Sequence, residues 1–342
     1  MSDFSWPDVL ASLVRGDDLD EHAAAAAMRS IMSGEATPAQ IGGFLIALRS
    51  KGETVDEITG FARVMREFSL KVPVDGPVID TCGTGGDRAG TANISTMAAL
   101  VVAGAGVRVA KHGNRAQSSQ CGSADLLEAL GVAIDLAPEG VAACIDEAGI
   151  GFCFAPAFHP SMRHAGPVRR ELGIPTVFNF LGPLTNPAGA RRQTIGVSDA
   201  EMAPKIAAAI HRLGAERALV FRGDDGLDEL STTTTSSCWG IDGGISQFTF
   251  DPASLDLAPA QPQDLSGGNA EENARLCAEV LAGGQGPLHD AVTLNAAAAL
   301  LVAGVSHTMA EGLARARESL DSGEAAKALD RMRDVSQRVR IG

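Results

Sequence analysis

The sequence predicts an α/β protein: a small N-terminal helical domain, then a larger domain with a mainly parallel central sheet. Three observations carry this. Residues 1–70 show helical periodicity and caps but no strand pattern. Val72-Pro-Val-Asp-Gly-Pro77 is a turn-rich boundary. Beyond it, short apolar runs alternate with amphipathic stretches, the pattern of βαβ units. The expected division is 1–72 for the helical domain, joined by an insertion at 160–188, and 73–342 for the α/β domain.

In the first domain, residues 20–32 carry an alanine run that ends at Ser33-Gly34, a C-cap signal. Thr37-Pro-Ala-Gln40 and Thr54-Val-Asp-Glu57 are capping boxes, each opening a helix. The second of these helices has Ile58, Phe61, Ala62 and Met65 on one face. The apolar residues exceed what short helices can bury among themselves, so packing on the rest of the chain or on a second copy is expected. In the second domain, strands are expected at 78–81, 107–111, 151–154 and 218–222. Helices are expected at 93–103, 123–130, 141–148 and 203–213. From 158 to 187 the strand signal disappears, and 162–172 reads as one helix. Residues 251–268 read as a loop or sheet-edge excursion, followed by helices at 270–282, 295–303 and 309–322.

The first βα turn reads Val78-Ile-Asp-Thr-Cys-Gly-Thr-Gly-Gly-Asp87, and Asn93-Ile-Ser-Thr96 then opens a helix. Such a loop aims free N–H groups and the positive end of a helix dipole at an anion. An ordinary tight turn would look the same on the glycines alone. The second βα turn, residues 110–125, is dense with donors: Lys111, His112, Asn114, Arg115, Ser118, Ser119 and Ser123. Two such loops from neighbouring parallel strands meet at the edge where open sheets bind ligands, which favours an anion site. A third loop, Gly223-Asp-Asp-Gly-Leu-Asp-Glu-Leu230, offers carboxylates suited to an oxygen-liganded cation such as Mg2+. Helix capping by acids is the alternative there. A fourth stretch, Phe158 to Arg170, places arginines beside apolar residues, either to clamp a carboxylate on a flat ligand or to make surface ion pairs.

The totals narrow the function. A net charge of −14 argues against a nucleic-acid binder, which needs a broad basic face. Six scattered cysteines without a CxxC pair suggest reduced thiols in a cytoplasmic protein rather than a zinc site or a disulfide framework. The acidic N-terminus does not read as a signal peptide. The longest apolar runs are too short and too interrupted by glycine to span a bilayer.

Taken in order, Asp80–Asp87 with 93–96, 111–114 with 122–125, His159-Pro160, Val168-Arg169, Asn179 with 181–187, and Asp228-Glu229 resemble anthranilate phosphoribosyltransferase over nearly the whole chain. The resemblance implies the fold of nucleoside phosphorylases and related phosphoribosyltransferases. It also implies a phosphoribosyl transfer in tryptophan biosynthesis and a homodimer formed through the helices. Matched residue by residue, Gly83, Gly86, Asp87, Thr91, Asn93, Ile94, Ser95 and Thr96 would hold phosphoribosyl pyrophosphate. Lys111, His112, Gly113, Asn114, Arg115, Ala116, Gln117, Ser118, Ser119 and Ser123 would hold it as well. Gly83, Asn114 and Arg169 match anthranilate contacts, with His112, His159 and Met162 lining the same channel. Ser95, Asp228 and Glu229 match Mg2+ ligands.

Two departures stand out. The second loop reads Ser118-Ser-Gln-Cys-Gly122, where the family commonly has Ser-Ser-basic-Ser-Gly. One basic residue and one hydroxyl fewer beside a polyanion bear on affinity more than on the reaction. After Glu229, Thr232–235 followed by Ser-Ser replaces a common Thr-Thr-Gly-Pro-Thr, beyond the metal ligands. The implied reaction attacks with an aniline nitrogen that is already neutral, so no discrete acid or base residue is expected, and positioning should dominate. Rival readings are a pyrimidine nucleoside phosphorylase-like enzyme, or a non-catalytic relative that binds polyanions.

Overall fold

The computed structural model describes residues 4–116 and 120–341. Four helices come first: α1 (Trp6–Arg15), α2 (Glu21–Ser33), α3 (Pro38–Lys51) and α4 (Val55–Phe68). Both expected capping boxes form, Thr37 with Gln40 and Thr54 with Glu57. Glu57 does more than cap. Fully buried, it also accepts from the Leu19 amide (3.0 Å) and from Lys51 Nζ (3.1 Å), tying the α1–α2 turn to the end of α3. Trp6, Phe44 and Phe61 stack edge to face at 5.7 Å spacings through the middle of this unit.

The rest of the described chain alternates. In order come β1 (Ile79–Gly83), α5 (Ile94–Gly104), β2 (Val109–Gly113), α6 (Ser123–Ala129), α7 (Pro138–Ala148) and β3 (Ile150–Phe154). α8 (Ala155–Phe158) leads into the insertion, which holds a 3-10 turn (Pro160–Arg163), α9 (Gly166–Leu172) and α10 (Phe178–Leu181). Next are β4 (Arg192–Gly196), α11 (Met202–Arg212), β5 (Arg217–Gly223), β6 (Ser236–Asp242) and β7 (Ile245–Phe250). Four helices close the chain: α12 (Ala270–Leu281), α13 (Pro287–Ala303), α14 (Met309–Asp321) and α15 (Glu324–Ile341).

The described strands form one sheet of order β3-β2-β1-β4-β5-β6-β7. The first five are parallel, and β6 and β7 add antiparallel to β5. The sheet separates two apolar cores. On one face Ile79, Val109, Ile150, Leu219 and Phe221 pack against α5–α7 and α12–α15. On the other, Cys82, Ile195, Val220, Trp239 and Ile241 share a single core with α1–α4, α9–α11 and Trp6. The surplus apolar surface of the N-terminal helices is thus buried on the chain's own α/β domain, α4 packing on α11 and α11 in turn on β5 and β6.

Several elements differ from expectation. β4, β6 and β7 are strands beyond the four expected, and α13 begins at Pro287 rather than at 295. Region 162–172 is a 3-10 turn followed by α9, because Pro167 lacks an amide and fits only the first turn of a helix.

Candidate active site

The chain runs from β1 to β2 on one side of the sheet and returns to β4 on the other, so β1 and β4 flank the point where strand order reverses. Open α/β sheets bind ligands at the carboxyl ends of such strands. Three of the four loops singled out in the sequence converge there. Gly85 and Gly86 lie at φ 67° and 84°, conformations that only glycine takes without strain. The Gly85 amide donates to Asp228 Oδ2 at 2.7 Å, and the Ser95 amide, in the first turn of α5, donates to Glu229 Oε1 at 3.0 Å. Close approach explains two further glycines. A Cβ on Gly83 would collide with the Asp228 carboxylate, and one on Gly196 with the Asp228 carbonyl.

Charge is concentrated here. Burial, then the neighbouring Asp87, pushes the Asp228 carboxyl up to about 6. Burial, then Asp228, raises Glu229 well above its ordinary value. One Asp87 carboxylate oxygen is buried with no hydrogen-bond partner. Lys111, also buried, donates to the Thr81 carbonyl at 2.6 Å and lies 3.4 Å from Ser95 Oγ. Burial lowers its pKa, against the opposing pull of Asp80, Glu229 and Asp228. Facing acids, an orphaned carboxylate oxygen and the Ser95 hydroxyl form a donor set that fits a hard cation. Among the described residues no three His, Cys, Asp or Glu side chains converge as a ready-made cage. The acids would therefore supply part of a shell, as is usual for Mg2+ bound together with water and phosphate.

The remaining candidates fall into two groups. On the phosphate side, Thr91 bridges to Ser266, and Asn93 donates to the Cys121 carbonyl at 3.1 Å. Ile94 and Thr96 are buried in the first turn of α5, and Gly86 is exposed. Gly113 closes β2 with no room for a Cβ beside Ser123 Oγ, which donates to the Asn114 carbonyl at 3.2 Å. The Ala116 amide donates to Asp125 at 2.9 Å. Arg115 pairs with Asp125 and Glu128 and lies over the Phe154 ring, so its guanidinium is already engaged. Gln117, Ser118 and Ser119 lie outside the described residues.

On the other side, His112 Nδ1 is 3.1 Å from the Gly182 carbonyl, and its Nε2 is 3.3 Å from His159 Nε2. Burial is the main cause that brings these two rings down to about 3 and about 4, so both are neutral at pH 7. Met162 packs at the edge of the helical core. Arg169 lies over the Phe178 ring at 5.2 Å and is 3.5 Å from Asn179 Oδ1.

Sequence reasoning gave no role to Asp80, the buried hub between these groups. Its carboxylate accepts from the His112 amide at 3.0 Å, from Asn186 Nδ2 at 2.8 Å and, weakly, from Gln193 Nε2 at 3.5 Å. The one signal was an acid inside an apolar strand, a local rule broken for a reason elsewhere.

This combination, a helical bundle on a switch-point sheet with phosphate loops and paired acids, defines a class. Residues 7–69 match the helical bundle domain of the glycosyl transferase family, and residues 75–326 match its a/b domain. Among named relatives, the anthranilate phosphoribosyltransferase of Salinispora arenicola is 53% identical, covering 99% of both chains. That of Moorella thermoacetica is 54% identical, covering 94% of this chain and 96% of its own. A solved anthranilate phosphoribosyltransferase from Thermus thermophilus superposes with TM-score 0.91 at 47% identity, over 96% of this chain and 99% of that one. The Saccharomyces cerevisiae enzyme in complex with phosphoribosyl pyrophosphate and Mg superposes with TM-score 0.90 at 29% identity, over 98% and 99%. The chain belongs to the anthranilate phosphoribosyltransferase family.

Proposed function

We infer that this chain transfers the phosphoribosyl group of 5-phosphoribosyl 1-pyrophosphate to anthranilate. The products are N-(5-phosphoribosyl)anthranilate and pyrophosphate, the second step of tryptophan biosynthesis from chorismate. The observation that carries the reading is the meeting of Asp228 and Glu229 with the amides of Gly85 and Ser95, beside buried Lys111.

The difficulty in this reaction is charge. Pyrophosphate departs as a polyanion while the ribose becomes cation-like. The loop 83–87, the N-terminal end of α5 and Lys111 can meet that developing charge, the Gly85 and Ser95 amides once Asp228 and Glu229 turn to a bound metal ion. Mg2+, held by Ser95, Asp228 and Glu229, would neutralise the leaving group. The nucleophile is a neutral aniline, and the only histidines engaged with each other here are neutral at pH 7. The protein's task is therefore to orient, and Arg169 and Asn114 are assigned the anthranilate carboxylate, with His112, His159 and Met162 lining its approach.

The helical domain is assigned residues 1–72 with 160–188 joined to it. This is supported by the buried side chains of α9 and α10 that share a core with α1–α4. A cytoplasmic homodimer joined through the helices is the proposed state. Phe4, Val14 and Ile46, exposed apolar residues of the helical unit, support it. No described helix is long and apolar enough to cross a membrane. The decisive assay mixes purified protein with anthranilate and phosphoribosyl pyrophosphate and follows loss of anthranilate fluorescence with Mg2+ or with chelator. Turnover that stops on chelation is expected; no turnover under either condition would overturn the reading.

A further inference from the structure

The parallel ladder between β1 and β2 stops after Ile79 and Val109, although both strands run on, β1 paired with β4 and β2 with β3. In a continued ladder the His112 amide would donate to the Thr81 carbonyl. Here side chains take both groups. The His112 amide donates to Asp80 Oδ1 at 3.0 Å, and the Thr81 carbonyl accepts from Lys111 Nζ at 2.6 Å. Asn186 joins them from the end of the insertion, donating through Nδ2 to Asp80 Oδ2 and to the Ala110 carbonyl, both at 2.8 Å.

Two properties single out Asp80. The first is the peptide it holds. The His112 amide lies in the peptide unit that joins Lys111 to His112, and the Ala110 carbonyl lies in the unit before it. Successive side chains of a strand leave opposite faces, so Lys111 turns toward Ser95 and His112 toward Gly182 and His159. One clamp thus sets both the ammonium assigned to the phosphates and the ring assigned to the anthranilate channel. The second property is that Asp80 can only accept. A backbone amide cannot reverse. Asn186 cannot flip either, because its Oδ1 accepts from the Ala188 amide at 2.8 Å while its Nδ2 serves two oxygens. Asp80 and Asn186 are both buried, so water offers neither a substitute partner.

We propose, on the reaction inferred above, that Asp80 braced by Asn186 is a positioning residue: it fixes Lys111 and His112 relative to each other and so aligns the two substrates. Asp80→Asn keeps an oxygen for the His112 amide but sets a second donor against Asn186 Nδ2. The peptides on either side of Lys111 then lose their brace, and both substrate sites loosen together.

The test is steady-state kinetics of the full chain with each substrate varied in turn, together with hydrogen exchange at the His112 amide. Asp80→Asn should raise KM for anthranilate and for phosphoribosyl pyrophosphate about five- to tenfold each, and exchange should quicken about tenfold or more. Loss of stability alone would reduce the active fraction and leave both KM values where they are. Adding Asn186→Asp reverses donor and acceptor, keeps one buried charge, and should return both KM values to within about threefold of wild type. Unchanged KM values in Asp80→Asn, a rise for one substrate only, or a double variant no better than the single would overturn the proposal. If Asp80→Asn fails to fold, Asn186→Ala decides in its place: both KM values should rise about threefold, and unchanged values would overturn the proposal. Exchange needs no turnover. An idle wild type with the exchange response intact would count against the proposed reaction and for the clamp, whereas unaltered exchange would overturn the clamp itself.

Discussion

Asp228 is held by an amide from another segment and pressed toward Asp87, so the folded chain keeps a carboxylate where its charge is unwelcome. Its folded pKa of about 6 lies above the ordinary 3.8. The folded state therefore holds the proton more tightly, and this contribution to stability is complete below about 3.8 and lost as pH rises through about 6. In chelator at pH 7, Asp228→Asn should be more stable than wild type by about 1–3 kcal/mol. At pH 4 the two should unfold at nearly the same urea concentration. An equal gap at both pH values would refute the strained-acid account. The same variant should lose turnover by about 100-fold, since it removes charge where the transition state needs it. Arg169→Ala should raise KM for anthranilate about tenfold or more while KM for phosphoribosyl pyrophosphate moves little; equal effects would make Arg169 structural. Lys111 and the Asp228-Glu229 pair were legible in the sequence because their chemistry is local to a loop. Asp80 was not, because its partners Asn186 and Gln193 stand 106 and 113 residues away.

At the scale of elements, the helices announced themselves. Capping boxes are written into four consecutive residues, so Thr37 and Thr54 mark α3 and α4 without any tertiary information. The three strands that escaped notice did so for physical reasons. β4, Arg-Gln-Thr-Ile-Gly, is central, and its buried Gln193 is satisfied partly by the Pro183 carbonyl at 2.9 Å rather than by apolar packing. β6 opens on Ser-Ser after a threonine run, and β7 is an exposed edge strand. Only a brief alternation stands in either, Trp239-Gly-Ile241 in β6 and Phe248-Thr-Phe250 in β7, shorter than a strand signal needs. Glu57 shows how far one cap reaches. Glu57→Ala leaves the Leu19 amide without its partner and takes one of the acceptors of Lys51, which keeps Asp18 and the Gly52 carbonyl, and should destabilise the fold by about 2–3 kcal/mol. Thr54→Ala should cost about 1 kcal/mol. Urea midpoints of the two variants give the comparison; similar losses would mean that Glu57 does no more than cap.

For the whole molecule, the alternation of strands and helices disclosed the α/β class, and the turn-rich segment at 72–77 marked where helices give way to sheet. What no stretch of sequence disclosed was that α11 would stand between α4 and the sheet, so that the helical unit and the sheet share one core. That arrangement has an optical consequence. The chain contains two tryptophans and no tyrosine. Trp6, its Nε1 bonded to Ser30 Oγ at 3.1 Å, sits among the N-terminal helices, and Trp239 sits on β6. Both are buried in the same core. Nearly all the ultraviolet emission of the free protein thus comes from two lamps, one in each half. Trp6→Phe and Trp239→Phe each leave one lit, and their urea curves should superimpose if the shared core binds the halves into one cooperative unit. Two separate midpoints would show the helices darkening on their own.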